Sequence, residues 1–255
     1  MRIALIGDIH SNQFALEAVL EQLKNDNIDS IFFLGDYAFG GSGSVEVVDR
    51  LIEYKTHPYI AIKGNKEGYI NGIEQRAELN PILPFIYNEL GMERINFLKS
   101  LPDEVHVEFE GVKFRICHNP SKLKMFVITD RLHRKGTVPN YDTLHILAAE
   151  MQDDICIYGH YHMFMDEVVD RKRFICACSV GLPFDADSNA KYLIMNIKNK
   201  IVSIEKKSVF YDRSKLVDDF EKKGYFERFS QWSMNTIISM MTGCNYIGTQ
   251  DLRRN

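Results

Sequence analysis

A chain of 255 residues with 45% hydrophobic and 26% charged side chains is long enough for one sizeable core, or one core with an appendage. Its net charge of -4 lends no support to a duplex nucleic-acid binder, which would carry a strongly basic balance. The opening apolar run Ile3-Ala4-Leu5-Ile6 is cut short by Asp8, too early for a signal-peptide core, and nothing approaches the roughly 18 consecutive apolar residues of a membrane span. Four of the five cysteines (Cys117, Cys156, Cys176 and Cys178) lie in apolar stretches and read as buried free thiols of a protein kept in a reducing cytoplasm. Cys176 and Cys178 lack the spacing of a zinc knuckle.

Short apolar, β-branched runs recur, each stopped by small or polar residues. In chain order they are RIALIG from Arg2, SIFFLG from Ser30, YIAIKG from Tyr59, VKFRIC from Val112, DICIYG from Asp154 and RFICAC from Arg173. Such runs read as strands buried on both faces. After Asn12, Leu16, Val19, Leu20 and Leu23 make a helical stripe, and Val47, Val48, Leu51 and Ile52 begin another. This alternation predicts an α/β fold with right-handed βαβ units and a central sheet covered by helices. Residues 68 to 101 read as a helical insertion, interrupted at Pro81 and Pro84 and ended by Leu101-Pro102. YLIMNI and IVSIEKKSVF return to strand character, with a turn at Asn199-Lys200. From Ser214 the tail reads as helix. There Met234, Ile237, Ile238 and Met241 share a face that would pack on the body or on a partner subunit, and Gly243 is placed to end the helix. The expected organisation is one domain over residues 1–211 and a helical extension over 212–255 packed on it.

The polar residues just beyond each apolar run are more informative. RIALIG leads to Asp8 and His10, SIFFLG to Asp36, YIAIKG to Asn65, VKFRIC to His118, and DICIYG to His160 and His162. In open α/β sheets the functional residues gather beyond the carboxyl ends of the strands. Five strands would thus deliver seven nitrogen and oxygen ligands to one rim. Asp8 and His10, like His160 and His162, would share a side if the backbone there were extended. Such a set is costly to bury without a cation, which makes these seven residues candidate metal ligands.

The order D-x-H, GD, GN, H, GHxH resembles the calcineurin-like metallophosphoesterase superfamily. The stretches GDIHSNQFALEAVL, LGDYAFGG, LKSLPDEV, CHNP and CSVGLPFD are similar to its small bacterial phosphodiesterase branch, which includes dinucleoside-polyphosphate hydrolases. The resemblance covers roughly residues 1 to 211 and implies a four-layer αββα sandwich. It implies that one metal takes Asp8, His10 and His162, the other Asn65, His118 and His160, with Asp36 bridging. Two ions of Mn or Fe, or of Zn, Ni or Co, suit this donor mixture better than Mg alone. They would activate a water for in-line attack on phosphorus. Asp36, Asn65, Lys66 and His118 become the expected catalytic residues. Asn12, Lys66, Lys122, Lys124, Arg131 and Arg134 become the expected substrate contacts. The implied partner is a nucleotide or other phosphodiester small molecule, not a nucleic-acid duplex or a membrane.

This chain departs from the pattern at one place. Many relatives carry His or Cys after the GN pair, and in the phosphatase branches that His serves as general acid with an Asp just beyond GD. Here the residues are Lys66 and, after Asp36, Tyr37-Ala38-Phe39. A nucleotide phosphate is a weakly basic leaving group and departs nearly unassisted, so the departure favours anhydrides and activated diesters over alkyl monoesters. A basic segment from Lys122 to Lys135, with Phe126, would suit a polyphosphate and a base. Tyr37, Phe39, Phe164 and Phe184 offer either a base-stacking wall or ordinary core packing. Two other readings are a broad-specificity phosphodiesterase or phosphatase, and a binding scaffold that kept the fold without catalysis.

Overall fold

The computed structural model describes residues 1–73, 80–120 and 139–247. Its first sheet contains β1 (Arg2–Ile6), β2 (Ser30–Phe33), β3 (Tyr59–Ala61), β9 (Ala190–Lys198) and β10 (Ile201–Val209), in the order β10-β9-β1-β2-β3. Its second contains β4 (Glu104–Phe109), β5 (Val112–Cys117), β6 (Ile155–Tyr158), β7 (Met165–Val169) and β8 (Lys172–Cys176), in the order β4-β5-β6-β8-β7. Within the first sheet β1, β2 and β3 run parallel, and within the second β5, β6 and β8 do. Eight α-helices accompany them among the described residues: α1 (Gln13–Leu23), α2 (Ser44–Glu53), α3 (Asn65–Gly68), α4 (Ile82–Ser100), α5 (Tyr141–Glu150), α6 (Ser214–Lys222), α7 (Tyr225–Arg228) and α8 (Ser230–Thr242).

Side-chain alternation along each strand sorts the apolar residues into layers. Leu5, Phe32 and Leu193 of the first sheet meet Phe114, Ile157 and Ile175 of the second in a shared inner core. Ala4, Ile6 and Phe33 point the other way, against Leu16, Val48, Leu98 and Phe220. On the far side Cys156, Tyr158 and Phe174 pack under Leu144 and Leu147 of α5. The result is a four-layer α/β/β/α sandwich, in agreement with the implied fold. Periodicity alone pointed to one central sheet. A continuous apolar run records that both faces are covered, without recording whether helix or sheet covers them.

The structure corrects other details. β4 and β7 escaped the sequence reading because they are edge strands; β4 alternates between exposed and half-buried positions instead of forming an apolar run. Pro84 does not interrupt the insertion helix. It stands in the first turn of α4, where its missing N–H has no intrahelical acceptor to lose. The break falls at Gly91, whose backbone (φ 68°, ψ 164°) is non-helical. Asn199 and Lys200 form the expected turn between β9 and β10, both with positive φ (52° and 65°), the geometry that matches strand twist in two-residue hairpins.

The C-terminal helices join the same apolar cluster as β1 and α1 through Leu216, Phe220, Tyr225, Ile237 and Met240. The face of α8 turned inward differs from the predicted one. Met234 and Met241 are 49% and 45% exposed, whereas Ser233, Thr236, Ile237 and Met240 are buried. Small hydroxyl residues let the helix approach closely, and the Ser233 hydroxyl donates to the Tyr225 carbonyl at 2.9 Å. Gly243 ends α8 in the left-handed conformation, as expected. Met240→Ala should cost about 2–5 kcal/mol in urea denaturation, the usual cost of emptying a buried methionine site. Met234→Ala should stay within about 0.5 kcal/mol of wild type.

Candidate metal centre

Each of the seven predicted ligands follows a strand. Asp8 and His10 follow β1, Asp36 follows β2, Asn65 opens α3 after β3, His118 follows β5, and His160 and His162 follow β6. The carboxyl ends of three strands in one sheet and two in the other therefore meet. The convergence is not the strand alternation first expected. Asp8, His10, Asp36, His160 and His162 have φ of 53°, 48°, 54°, 75° and 58°, so the chain turns through left-handed backbone after β1, β2 and β6, three of these five ends. Such conformations cost of order 1–3 kcal/mol each and persist only where surrounding contacts enforce them.

Two glycines let the turns touch. A Cβ on Gly35 (φ 90°) would lie 2.5 Å from the Gly64 nitrogen, and one on Gly64 would lie 2.1 Å from Asp36 Oδ1. Only backbone without side chains fits there, so the turns carrying Asp36 and Asn65 press directly on each other.

The ligand atoms form two adjoining groups. Those of Asp8, His10 and His162 lie within 4.8 Å of one another, as do those of Asp8, Asp36 and His118. His162 Nε2 is 3.2 Å from Asp8 Oδ1 and 3.1 Å from His10 Nε2. Asn65 Oδ1 stands 3.1 Å from His118 Nε2 and 2.9 Å from His160 Nδ1. Asp36 divides its carboxylate: Oδ2 lies 3.5 Å from His10 Nε2, and Oδ1 lies 3.5 Å from His118 Nε2. The resemblance gave the shared position to Asp36. Asp8 reaches both groups as well, since its Oδ1 is 3.9 Å from both His10 Nε2 and His118 Nε2.

The donor set fits divalent ions on an observation that needs no analogy. His118 Nδ1 faces the Leu34 carbonyl at 2.6 Å, and His162 Nδ1 faces the Leu182 carbonyl at 2.5 Å. A carbonyl only accepts, so both Nδ1 atoms carry the proton, and in neutral rings each Nε2 is a lone pair. Those lone pairs look at carboxylate and amide oxygens or at another imidazole nitrogen. So many acceptors gathered in a buried site favour positive charge among them, whether a proton or a divalent ion. The second nitrogen of His10, Nδ1, is buried with no hydrogen-bond partner among the described residues.

Metal-free electrostatics tell the same story. Burial works against ionised Asp8 and Asp36, but His162 and His118 outweigh it and hold both carboxyls below the ordinary range. Burial and the neighbouring His162 push His10 down to about 3; burial and His118 push His160 down to about 4. His118 goes the other way: the Asp36 and Asp8 carboxylates overcome its burial and hold it up at about 10. A proton on His118 thus places positive charge between the two carboxylates.

Other expected site residues fare differently. Lys66 is half-buried beside the centre; its backbone N–H donates to Asp36 Oδ1 at 2.8 Å, and its ammonium lies 5.2 Å from the Tyr69 ring centroid. Asn12 is not brought to the ligands. It is fully buried, caps α1 by accepting from the Ala15 N–H, and donates to the Gly181 carbonyl and the Tyr211 hydroxyl. Lys122, Lys124, Arg131 and Arg134, with Phe126 and Lys135, lie outside the described residues. Tyr37, Phe39 and Phe184 are core residues, and Phe164 is covered by the Lys206 ammonium, so these rings form no stacking wall. Phe184 instead stacks on His162, with ring centroids 4.4 Å apart, and sequence reasoning missed Glu67, a carboxylate 2% exposed beneath the Asp36 turn. Burial and the nearby Asp36 carboxylate push Glu67 up to about 7.

Residues 1–200 match the calcineurin-like phosphoesterase superfamily domain. The chain belongs to that superfamily and is a metal-dependent phosphoesterase. It is 28% identical over 240 residues to an uncharacterised protein of Methanocaldococcus jannaschii, covering 90% of this chain and 94% of that one. Its fold is similar to that of a hypothetical protein from Pyrococcus horikoshii, with a TM-score of 0.76, 16% identity, and coverage of 96% and 99%. It is also similar to a metallophosphoesterase from Sphaerobacter thermophilus, with a TM-score of 0.70, 22% identity, and coverage of 95% and 99%. No helix among the described residues is long and apolar enough to cross a membrane.

Metal binding should be coupled to pH through His118. Its raised pKa stabilises the metal-free fold fully below its ordinary value of 6.5, and that contribution fades as pH rises through about 10. Ligation removes the same proton. Calorimetric titration of Mn2+ into metal-free protein at pH 8, repeated in buffers of different ionisation enthalpy, should therefore show release of about one proton per protein. Affinity should rise from pH 7 toward 10. Proton-independent, pH-independent binding would take His118 out of the ligand set.

Proposed function

We propose that the protein hydrolyses a phosphoanhydride or phosphodiester bond of a nucleotide, with dinucleoside polyphosphates as the favoured substrates. The carrying observation is the position of Lys66. A permanent cation stands on α3 next to Asn65, where an acid would be needed to protonate a strongly basic leaving group, and its charge helps to keep Asp36 ionised and His10 neutral. The position beyond the GD turn does not compensate. Tyr37 is fully buried, and its hydroxyl donates to the Phe33 and Ile62 carbonyls at 2.9 and 2.6 Å. A departing nucleotide phosphate needs no such donor, and its charge matches a lysine.

Asp8, His10 and His162 would hold one divalent ion, and Asn65, His118 and His160 the other, with Asp36 shared; Mn or Fe would suit this donor set. When bound, the ions supply Lewis acidity to the phosphoryl group and acidify the attacking water. The chain's own residues orient and accommodate. The Leu34 and Leu182 carbonyls fix the rings of His118 and His162, and Lys66 neutralises phosphate oxygens. A cavity of about 550 Å³ opens beside Asn65 and His118, bounded also by Lys63, Arg115 and Asn119. That volume is in the range of small-molecule sites. Its cations are already paired, Arg115 with Glu104 at 2.7 Å and Lys63 with Asp103 at 3.9 Å, so it suits a polar leaving group more than a stacked base.

Metal-analysed protein should hydrolyse dinucleoside polyphosphates and aryl phosphodiesters at least about 10²-fold faster than glycerol phosphate, the usual worth of a positioned general acid that this site lacks. Equal rates on all three would overturn the leaving-group argument in favour of a broad phosphatase, and no turnover at full metal occupancy would favour a binding scaffold. Asp36→Asn should abolish turnover and lower metal content more than Asn65→Ala does. Full occupancy and normal turnover in Asp36→Asn would remove Asp36 from the bridging position.

A further inference from the structure

Glu67 is a buried carboxylate, two residues from Asn65, that the ligand scheme leaves unused. Its side chain is almost wholly buried, and both oxygens point at backbone amides. Oε2 accepts from the Gly64 N–H at 2.8 Å and the Asp36 N–H at 2.9 Å. Oε1 accepts from the Tyr37 N–H at 3.0 Å and, more weakly, the Ala38 N–H at 3.3 Å. Three of the four donors belong to the turn after β2, not to Glu67's own helix. A mere helix cap would not reach there, and α3 has only four residues to cap.

The return contact closes a ring. Asp36 Oδ1 accepts from the Lys66 N–H at 2.8 Å, so each acid holds the backbone of the other's turn. Asp36 itself sits at φ 54°, a conformation its neighbours must enforce. We infer that Glu67 is a positioning residue of the metal centre: its carboxylate staples the Asp36 turn to the Gly64–Asn65 turn and so sets the distance between the donors of the two ions. The inference rests on the metal-centre reading above. Its physical basis is geometric. Only a carboxylate offers two acceptor oxygens with no hydrogen, which four converging donors require. Gln supplies one oxygen and turns an NH2 group against two N–H donors. Asp is one methylene shorter, and a carboxylate that reaches the Gly64 amide then falls short of Tyr37 and Ala38.

The test compares Glu67→Gln and Glu67→Asp with Asp26→Asn. Asp26 is a half-buried acid, bonded to Tyr192 and Lys207 and remote from the ligands. Mn2+ affinity is measured by calorimetry at pH 8, thermal midpoint on metal-free protein, and kcat and KM on an aryl phosphodiester. Both Glu67 variants should bind Mn2+ about 10- to 100-fold more weakly, the usual effect of losing an outer-shell partner. Their kcat should fall at saturating Mn2+, with KM nearly constant. Asp26→Asn should lower the thermal midpoint while leaving Mn2+ affinity at the wild-type value. Wild-type Mn2+ affinity in either folded Glu67 variant would overturn the inference. So would an equal loss of affinity in Asp26→Asn, which would mark a general effect of stability. Should Glu67→Gln not fold, the comparison of Glu67→Asp with Asp26→Asn decides alone. Wild-type protein that binds no Mn2+ would instead overturn the metal-centre reading itself.

Discussion

Hydrogen-bond acceptors crowded together with too few protons to share shape this end of the molecule. Asp8 and Asp36 are fully or nearly fully buried, and the Nε2 atoms of His118 and His162 point at them because their Nδ1 protons are committed to the Leu34 and Leu182 carbonyls. Burying such a set is expensive unless positive charge enters it. In the metal-free state His118 meets part of that need by holding a proton up to about 10. Divalent ions held by these residues would meet it more fully and would supply positive charge to a phosphoryl group.

Much of the fold is organised to hold this arrangement against its own repulsion. Five ligands occupy left-handed backbone, and two glycines remove the side chains that would keep the Asp36 and Asn65 turns apart. Phe184 stacks on His162 and fixes the ring from its face, while the Leu182 carbonyl fixes it from the edge. The C-terminal helices contribute at a distance. A Cβ on Gly41, in the loop after Asp36, would lie 3.3 Å from Met240 Cε, and the Ala186 N–H donates to the Gly243 carbonyl at 2.8 Å. The loop after Asp36 and the segment around Ala186 are therefore both packed against the end of α8.

Neighbouring residues on α3 divide the electrostatic labour. The Lys66 ammonium adds positive potential beside the phosphoryl site, whereas Glu67 turns inward and holds backbone. On the proposed function, a permanent cation in place of the usual proton donor would change which leaving groups the site serves while leaving the candidate metal ligands in place.

Strand ends were legible in the sequence because a buried strand must be continuously apolar and the polar residue that stops it is conspicuous. That is how Asp8, His10, Asp36, Asn65, His118, His160 and His162 stood out together. Hairpin and helix-stop chemistry were legible for the same local reason, at Asn199-Lys200 and Gly243. The features beyond reach depend on partners far away in the chain. Apolar runs do not say whether a face meets a helix or a second sheet, so the two-sheet division emerged only from packing. The buried face of α8 is chosen by close approach of Ser233 and Thr236, not by its exposed methionines. Asn12 and Glu67 look alike in sequence, as polar residues near helix starts. Tertiary structure assigned one to a helix cap and the other to the amides of a separate turn, since a side chain's role is set by which donors the folded chain brings within about 3 Å.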